Sequence, residues 1–451
     1  MANGYWNPRT ELMPREQLER LQLKKLQALV NWAYRRSPFW QHKLDLAGVK
    51  PQDINCLADI RSIPFLTREE LNRSQSEHPV YGDILSVPPA KAVRYHQTSG
   101  SSGKVPLRIL DGWKDWEWIA EMWCYGMYAF GVRETDTVYL AYNYGTFIGF
   151  WGAHYASEKI GALTIPSGGL SSEERVRKII ELGATVLVCT PTYALRLAQV
   201  ADELGINLAR ESQVRLLIHA GEPGANIPAT KKLIEEAWGA KAGDFPGMSE
   251  TGGSTSFECA AQPGGVHILE DHYLQEVIDP DTGEPLGYGQ KGELVLTSFG
   301  RATIPLLRYR TGDLVERVEN TNCPCGRSFD LYRGGILGRA DDMKLVRGVN
   351  VFPGTLENII REFREADEFQ IILFKEKGID QIMVKIEPVP EVAAAAHEEL
   401  RDKIAEALNQ AHRLKFVVEI VEPGTLPKFE LKARRLLDIR DREDAGLSQT
   451  G

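Results

Sequence analysis

Apolar residues recur at helical spacing from 14 to 46, where Leu18, Leu21, Leu26, Leu29 and Trp32 share one broad face and predict a helix. From about 134 to 220 the pattern alternates between short apolar runs and amphipathic stretches. Strands are predicted at Thr137–Ala141, Leu163–Pro166, Thr185–Thr190 and Val214–Ile218. Helices are predicted between them at Gly149–Ile160, Glu173–Leu182 and Tyr193–Leu204. Such alternation predicts a mainly parallel sheet covered by helices. Between 274 and 315 the strands shorten (Leu274–Ile278, Gly292–Thr297) around a Pro280-Asp-Thr-Gly283 turn, which predicts an antiparallel or barrel-like section.

A second pattern begins near 338–342. A hairpin-like stretch (Met343–Val351), a helix (Thr355–Phe363), two strands (Phe369–Phe374, Gln381–Ile386), a helix (Val392–Ala411) and a strand (Phe416–Val421) predict a small α+β domain. The fold class expected is therefore α/β. It has a large N-terminal domain, residues 1–338, with mainly parallel sheets and a barrel-like section, and a small mobile α+β C-terminal domain, residues 339–451. A chain of 451 residues exceeds the size at which one core keeps growing, which agrees with two domains.

The formal net charge of -9 argues against a general nucleic-acid or membrane-surface binder. No apolar run approaches a membrane span, and residues 1–9 lack the apolar stretch of a secretory signal, so the cytoplasm is the expected location. Six cysteines are too few for a disulfide scaffold. Three of them do form a pattern. Cys323-Pro-Cys325-Gly, with Cys259 and His267 upstream, matches a closed Cys₃His structural zinc site, with His272 competing for the fourth place.

The chemistry begins at Thr98-Ser-Gly-Ser-Ser-Gly-Lys104. Its glycines let backbone N–H groups approach phosphate oxygens, its hydroxyls add donors, and Lys104 supplies a point charge. It is not a Walker A loop, because the spacing differs and Val105-Pro106 follows the lysine. Gly247-Met-Ser-Glu250-Thr, Tyr309-Arg-Thr-Gly-Asp313, Gly338-Arg339-Ala-Asp341 with its sequel to Gly348, and Pro427-Lys-Phe-Glu-Leu-Lys432-Ala-Arg-Arg435 follow in order. Together these motifs resemble those of the adenylate-forming superfamily of acyl-CoA synthetases, adenylation domains and luciferases. Gly152-Ala-His-Tyr155, Thr190-Pro-Thr-Tyr-Ala-Leu195 and Gly348-Val-Asn-Val-Phe-Pro353 are most similar to the phenylacetate–CoA ligase branch.

The resemblance implies an AMP-forming carboxylic acid–CoA ligase that uses ATP, Mg²⁺ and coenzyme A through an acyl-adenylate. Phenylacetate or a related aryl acid is the expected substrate. The alternatives are a small branched or 2-hydroxy acid such as 2-hydroxyisobutyrate, or a stand-alone adenylation enzyme loading a carrier protein. It implies catalytic roles for Lys432, Lys104 and Glu250, the last as the Mg²⁺ ligand. It also implies nucleotide contacts from Thr98, Ser99, Gly100, Ser101, Ser102 and Gly103, and from Gly221, Glu222 and Pro223. Phe245, Gly247, Met248, Ser249, Asp313, Arg339, Asp341 and Gly348 join them. Asp313 would take the ribose hydroxyls, and Asp341 would be the hinge. Leu431 stands where the family has glycine, which leaves Lys428 as a rival to Lys432. Pro246 stands where the family has an aromatic residue, so Phe245 is the expected adenine platform. Tyr144, Phe147, His219 and Ala220 would face the acid, and Phe150 and Trp151 would shrink the pocket if they point into it. The family also suggests a homodimer.

Overall fold

The computed structural model describes residues 4–98, 105–320, 323–340, 343–376, 378–429 and 433–440. The long helix expected from 14 to 46 is two helices, α1 (Arg15–Arg36) and α2 (Pro38–Leu46). Pro38 lacks the N–H that a continuous helix needs. Ser37 instead caps the second helix, its hydroxyl accepting the Trp40 N–H at 3.3 Å.

A two-stranded ribbon, β1 (Arg94–Gln97) and β2 (Arg108–Asp111), flanks the Ser/Gly loop. Helix α3 (Trp113–Phe130) follows. The alternating region then gives β3 (Thr137–Leu140), α4 (Ile148–Ile160), β4 (Leu163–Pro166), α5 (Ser172–Glu181), β5 (Val186–Cys189), α6 (Pro191–Glu203), β6 (Leu216–His219), α7 (Pro228–Trp238) and β7 (Lys241–Asp244). The five strands form a parallel sheet in the order β4-β3-β5-β6-β7. The order reverses beside β3, so a crevice is expected at the carboxyl ends of these strands.

Helix α3 is buried along most of its length between this sheet and the antiparallel section. Its approach depends on glycine: a Cβ at Gly126 would stand 2.6 Å from the Phe245 ring, and one at Gly152 of α4 would stand 2.7 Å from the Trp123 indole. Either substitution overpacks the core.

The expected barrel-like section is an antiparallel sheet that runs as an open path. Its strands are β8 (Ser256–Phe257), β9 (Gly265–Ile268), β10 (Tyr273–Ile278), β11 (Lys291–Ser298), β12 (Leu306–Val318), β13 (Leu331–Arg333) and β14 (Gly338–Arg339). They are ordered β8-β9-β13-β12-β11-β10, with β14 also on β12. The long strand β12 reaches several neighbours because its register on β11 shifts twice.

The C-terminal unit contains α8 (Pro353–Ile360), β15 (Ala366–Glu376), β16 (Ile379–Pro388), α9 (His397–His412), β17 (Val417–Ile420) and β18 (Leu436–Asp438), its sheet ordered β17-β16-β15-β18. It encloses its own apolar cluster, in which Leu356, Phe369, Leu373, Val384, Ile404 and Phe416 take part. Its contacts with the rest include polar ones: the Ala229 N–H donates to Asn358 at 3.2 Å, Arg364 pairs with Glu236 at 3.0 Å, and Gln199 bonds Asp367. Among the described residues no helix is long and apolar enough to cross a membrane.

Candidate active site

Four expected segments sit at the carboxyl ends of the parallel strands. Tyr142–Phe147 follows β3, Thr190 follows β5, Ala220–Pro223 follows β6, and Phe245–Glu250 follows β7. The sheet therefore gathers segments more than a hundred residues apart at one edge.

Glu250 lies in the loop of a tight hairpin in which Gly247 pairs with Ser254. A Cβ on Gly247 would stand 2.2 Å from the Gly253 carbonyl oxygen, so only glycine fits. The backbone that carries Glu250 is held from below by Arg301, which is fully buried. The Arg301 Nη1 donates to the Ser249 and Glu250 carbonyls at 2.8 Å each, while Nε and Nη2 grip Asp111 in a fork at 2.7 Å each. The Glu250 carboxylate pairs with Arg68, whose other nitrogen donates to the Thr98 hydroxyl at 3.0 Å. Thr98 is tied further by the Leu107 N–H, which donates to its hydroxyl at 2.9 Å. The start of the Ser/Gly loop and the Glu250 hairpin are thus fastened to one another. Ser99, Gly100, Ser101, Ser102, Gly103 and Lys104 lie outside the described residues, as do Asp341 and Lys432.

Asp313 of β12 faces Arg339 of β14 in register, and the Arg339 Nη1 donates to its carboxylate at 3.1 Å. Gly348 turns the hairpin between Lys344–Val346 and Val349–Val351 at a positive φ of 81°. The rival lysine, Lys428, stands 3.8 Å from Asp367.

Two expected contacts are corrected. Phe245 is fully buried, parallel to Trp123 with centroids 6.1 Å apart and edge-on to Phe130. It therefore supports the site from behind and presents no face to an adenine ring. The close approach of α3 at Gly126 draws it inward. His219 is fully buried as well, its Nδ1 donating to the Cys189 carbonyl at 3.0 Å. Burial pushes its pKa down to about 4, so the imidazole is neutral. Gly221 and Pro223 are the exposed part of that turn, and Ala220 is half-buried.

The segment after β3 is an aromatic cluster. Phe150 stacks on Tyr142 with centroids 4.1 Å apart at 15°, and Phe147 meets Phe150 edge-on at 5.7 Å. Trp151 leans on Tyr144 at 4.6 Å and donates its indole N–H to the Gly145 carbonyl at 3.0 Å. Phe150 and Trp151 thus turn toward the Tyr142–Phe147 segment, away from the interior of the sheet. The Tyr144 hydroxyl lies 2.8 Å from His154 Nδ1.

Away from this cleft, one ligand atom each from Cys259, His267, Cys323 and Cys325 lie within 4.8 Å of one another. The Cys259 and Cys323 sulfurs are 3.6 Å apart, and Cys325 Sγ is 3.2 Å from His267 Nε2. Tetrahedral zinc, with bonds of about 2.3 Å to sulfur and 2.0 Å to nitrogen, requires ligand separations of this order. The His267 Nδ1 lies 3.2 Å from the Phe329 carbonyl, a partner that leaves Nε2 unprotonated for a metal. His272 is not in the group: its Nδ1 accepts the Trp118 indole N–H at 2.7 Å.

Arg68 and Arg301 were not anticipated from sequence. Thr67-Arg-Glu-Glu70 did carry a capping-box signal, which the structure realises. No local signal marks Arg301.

A family description for the AMP-binding enzyme C-terminal domain matches residues 348–440. The phenylacetate-coenzyme A ligase of Thermus thermophilus is 35% identical to this chain, covering 96% of it and 99% of its own length. That of Escherichia coli is 32% identical, covering 94% and 96%. A crystal structure of 2-hydroxyisobutyryl-CoA ligase in the postadenylation state with 2-HIB-AMP superposes with a TM-score of 0.92 at 31% identity, covering 98% of this chain and 93% of that one. The same ligase in the thioesterification state gives 0.73, covering 97% and 93%. This chain therefore superposes more fully on the postadenylation structure of that ligase than on its thioesterification structure.

Proposed function

The chain belongs to the phenylacetate–CoA ligase branch of the adenylate-forming enzymes, and from that premise we propose that its acid is phenylacetate or a related aryl acid. It is an ATP-dependent acid–CoA ligase working through an acyl-adenylate. The acid's carboxylate attacks the α-phosphorus of ATP and expels pyrophosphate. The CoA thiol then attacks the acyl carbon and expels AMP.

In the first step several anions meet, so positive charge and fixed donors carry the catalysis. In our reading Lys104 and the hydroxyls and N–H groups of Thr98–Gly103 take the outer phosphates, and Lys432 takes the α-phosphate and carboxylate oxygens. Asp313 accepts the ribose hydroxyls, with Arg339 holding it in place. Glu250 would hold Mg²⁺, which supplies charge neutralisation between phosphate oxygens. Arg68 sets the orientation of that carboxylate. Zinc at Cys259, His267, Cys323 and Cys325 is proposed as structural, since four protein ligands leave no open position. Reduced thiols of this kind suit a cytoplasmic enzyme.

The observation that carries the aryl reading is the ring-rich segment Tyr142–Phe147 at the carboxyl end of β3, whose apolar faces match a flat acid. One observation favours a second reading. Phe150 and Trp151 crowd that same segment, which suits a compact branched or 2-hydroxy acid. An acid panel scored for AMP formation requiring both ATP and CoA tests both. Turnover with small hydroxy acids and none with aryl acids would replace the first reading with the second. Turnover with a carrier protein but not CoA would defeat both.

A further inference from the structure

Glu222, in the turn after β6, joins two parts of the molecule. Its Oε1 accepts the Thr192 N–H at 3.0 Å, in the first turn of α6. Its Oε2 accepts the Ala433 N–H at 2.8 Å, in the segment leading into β18. Ala433 is the residue that follows Lys432.

A carboxylate can take both N–H groups at once, one on each oxygen. A carboxamide cannot, because its NH₂ would face one of the two donors. Burial pushes the Glu222 carboxyl up from its ordinary value, and the hydrogen bonds from Ala433 and Thr192 and the nearby guanidinium of Arg435 oppose that shift. Arg435 is itself immobilised. Its Nε and Nη2 fork onto Glu368 at 2.7 and 3.0 Å, and its guanidinium lies 5.0 Å from the Phe369 ring centroid. Residues 433–435 are therefore held to the parallel-sheet unit at one end and to the C-terminal sheet at the other.

The Ala433 contact is to backbone, so it fixes where the chain lies and is indifferent to the side chain there. It is present in this arrangement, which superposes on a postadenylation structure with a TM-score of 0.92. Turning the C-terminal unit away from β6 removes it.

We propose that Glu222 is a positioning residue for adenylation alone: it docks the chain beside Lys432 onto the amino end of α6 and releases it when the C-terminal unit turns away. This gives Glu222 a role different from the nucleotide contact expected of it, and it rests on the reading that Lys432 serves the first half-reaction.

The test uses the full-length enzyme with each half-reaction measured separately. Adenylation is followed as acid-dependent pyrophosphate release, and thioester formation as single turnover from supplied acyl-adenylate and CoA. Glu222→Gln is expected to slow adenylation about 10- to 100-fold, the worth of one charge-assisted hydrogen bond. Thioester formation should stay within about threefold of the parent. Glu222→Asp, which keeps both acceptor oxygens, should recover part of the loss. Ala433→Pro removes the N–H from the other side, and the double variant should lose no more than the worse single one. Equal losses in both half-reactions, no loss in either, or losses that multiply in the double variant would overturn the proposal. Lys432→Ala separates the underlying reading: normal adenylation in that variant refutes the role of Lys432 itself.

Discussion

Replacing Arg301 by methionine tests how the Glu250 hairpin is held. The side chain is fully buried and makes four hydrogen bonds, two to Asp111 and two to the carbonyls of Ser249 and Glu250. Methionine fills much of the volume but makes none of them. Asp111, also fully buried, is then left without the guanidinium that faces it. Breaking a buried pair in this way costs about 3–5 kcal/mol. With an unfolding entropy of about 2.1 cal/mol/K per residue, a chain of 451 residues changes free energy by about 0.9 kcal/mol per degree near its midpoint. The expected fall in Tm is therefore about 3–6 °C by scanning calorimetry. Adding Asp111→Leu should return most of it, because the cost is the uncompensated charge and not the missing arginine. Arg301→Lys should keep the charge but lose part of the fork, and slow adenylation by at least about tenfold through the hairpin. A Tm of Arg301→Met within about 1 °C of the parent, or a double variant no more stable than the single one, would refute the reasoning.

Three further outcomes are expected. Protein purified without added zinc should contain about one zinc ion per chain, and Cys325→Ser should lose it together with thermal stability; elemental analysis near zero for the parent refutes the site. Phe150→Ala removes the ring stacked on Tyr142 and should shift the kcat/KM ratio of bulky to compact acids by about tenfold or more toward the bulky ones; an unchanged ratio removes Phe150 from the pocket wall. Burial, aided by the charge of Glu258, pushes the Asp244 carboxyl up to about 7, so the native state binds this proton more tightly than the unfolded chain. Its contribution to stability is present below pH 4 and is lost as pH rises to 7, with an upper bound of about 4 kcal/mol. Asp244→Asn should flatten that part of the stability–pH curve of the ligand-free enzyme, and an unaltered slope contradicts the assignment.

The parallel sheet was readable from the chain because its strands are continuous apolar runs and its helices are amphipathic at short range. Ends were less readable. The helix expected from Val392 begins only at His397, after a 3₁₀ turn at Ala394–Ala396, since an alanine run carries no start signal. The Glu250 and Asp313 segments were legible as motifs, and so was Arg339 beside Asp313, whereas the arginines that hold Glu250 were not. Arg301 meets Asp111 across 190 positions and Arg68 meets Glu250 across 182, and periodicity does not reach that far. The choice between His267 and His272 needed the third dimension too. Both are buried histidines five positions apart, and only the packing of Trp118 withdraws one of them from the cysteines. Phe245 failed as a platform for a similar reason: one position along a strand decides between core and cleft.

Among the described residues, the C-terminal unit completes its apolar core without borrowing one from the first 340 positions. In evolutionary terms such a unit is separable cargo. A recombination event near residue 340 would exchange the lysine-bearing segment between related genes while leaving both cores whole. Mutations in the loops at the carboxyl ends of the parallel strands then accumulate without disturbing that second core. A lineage built this way can vary one unit while keeping the other whole.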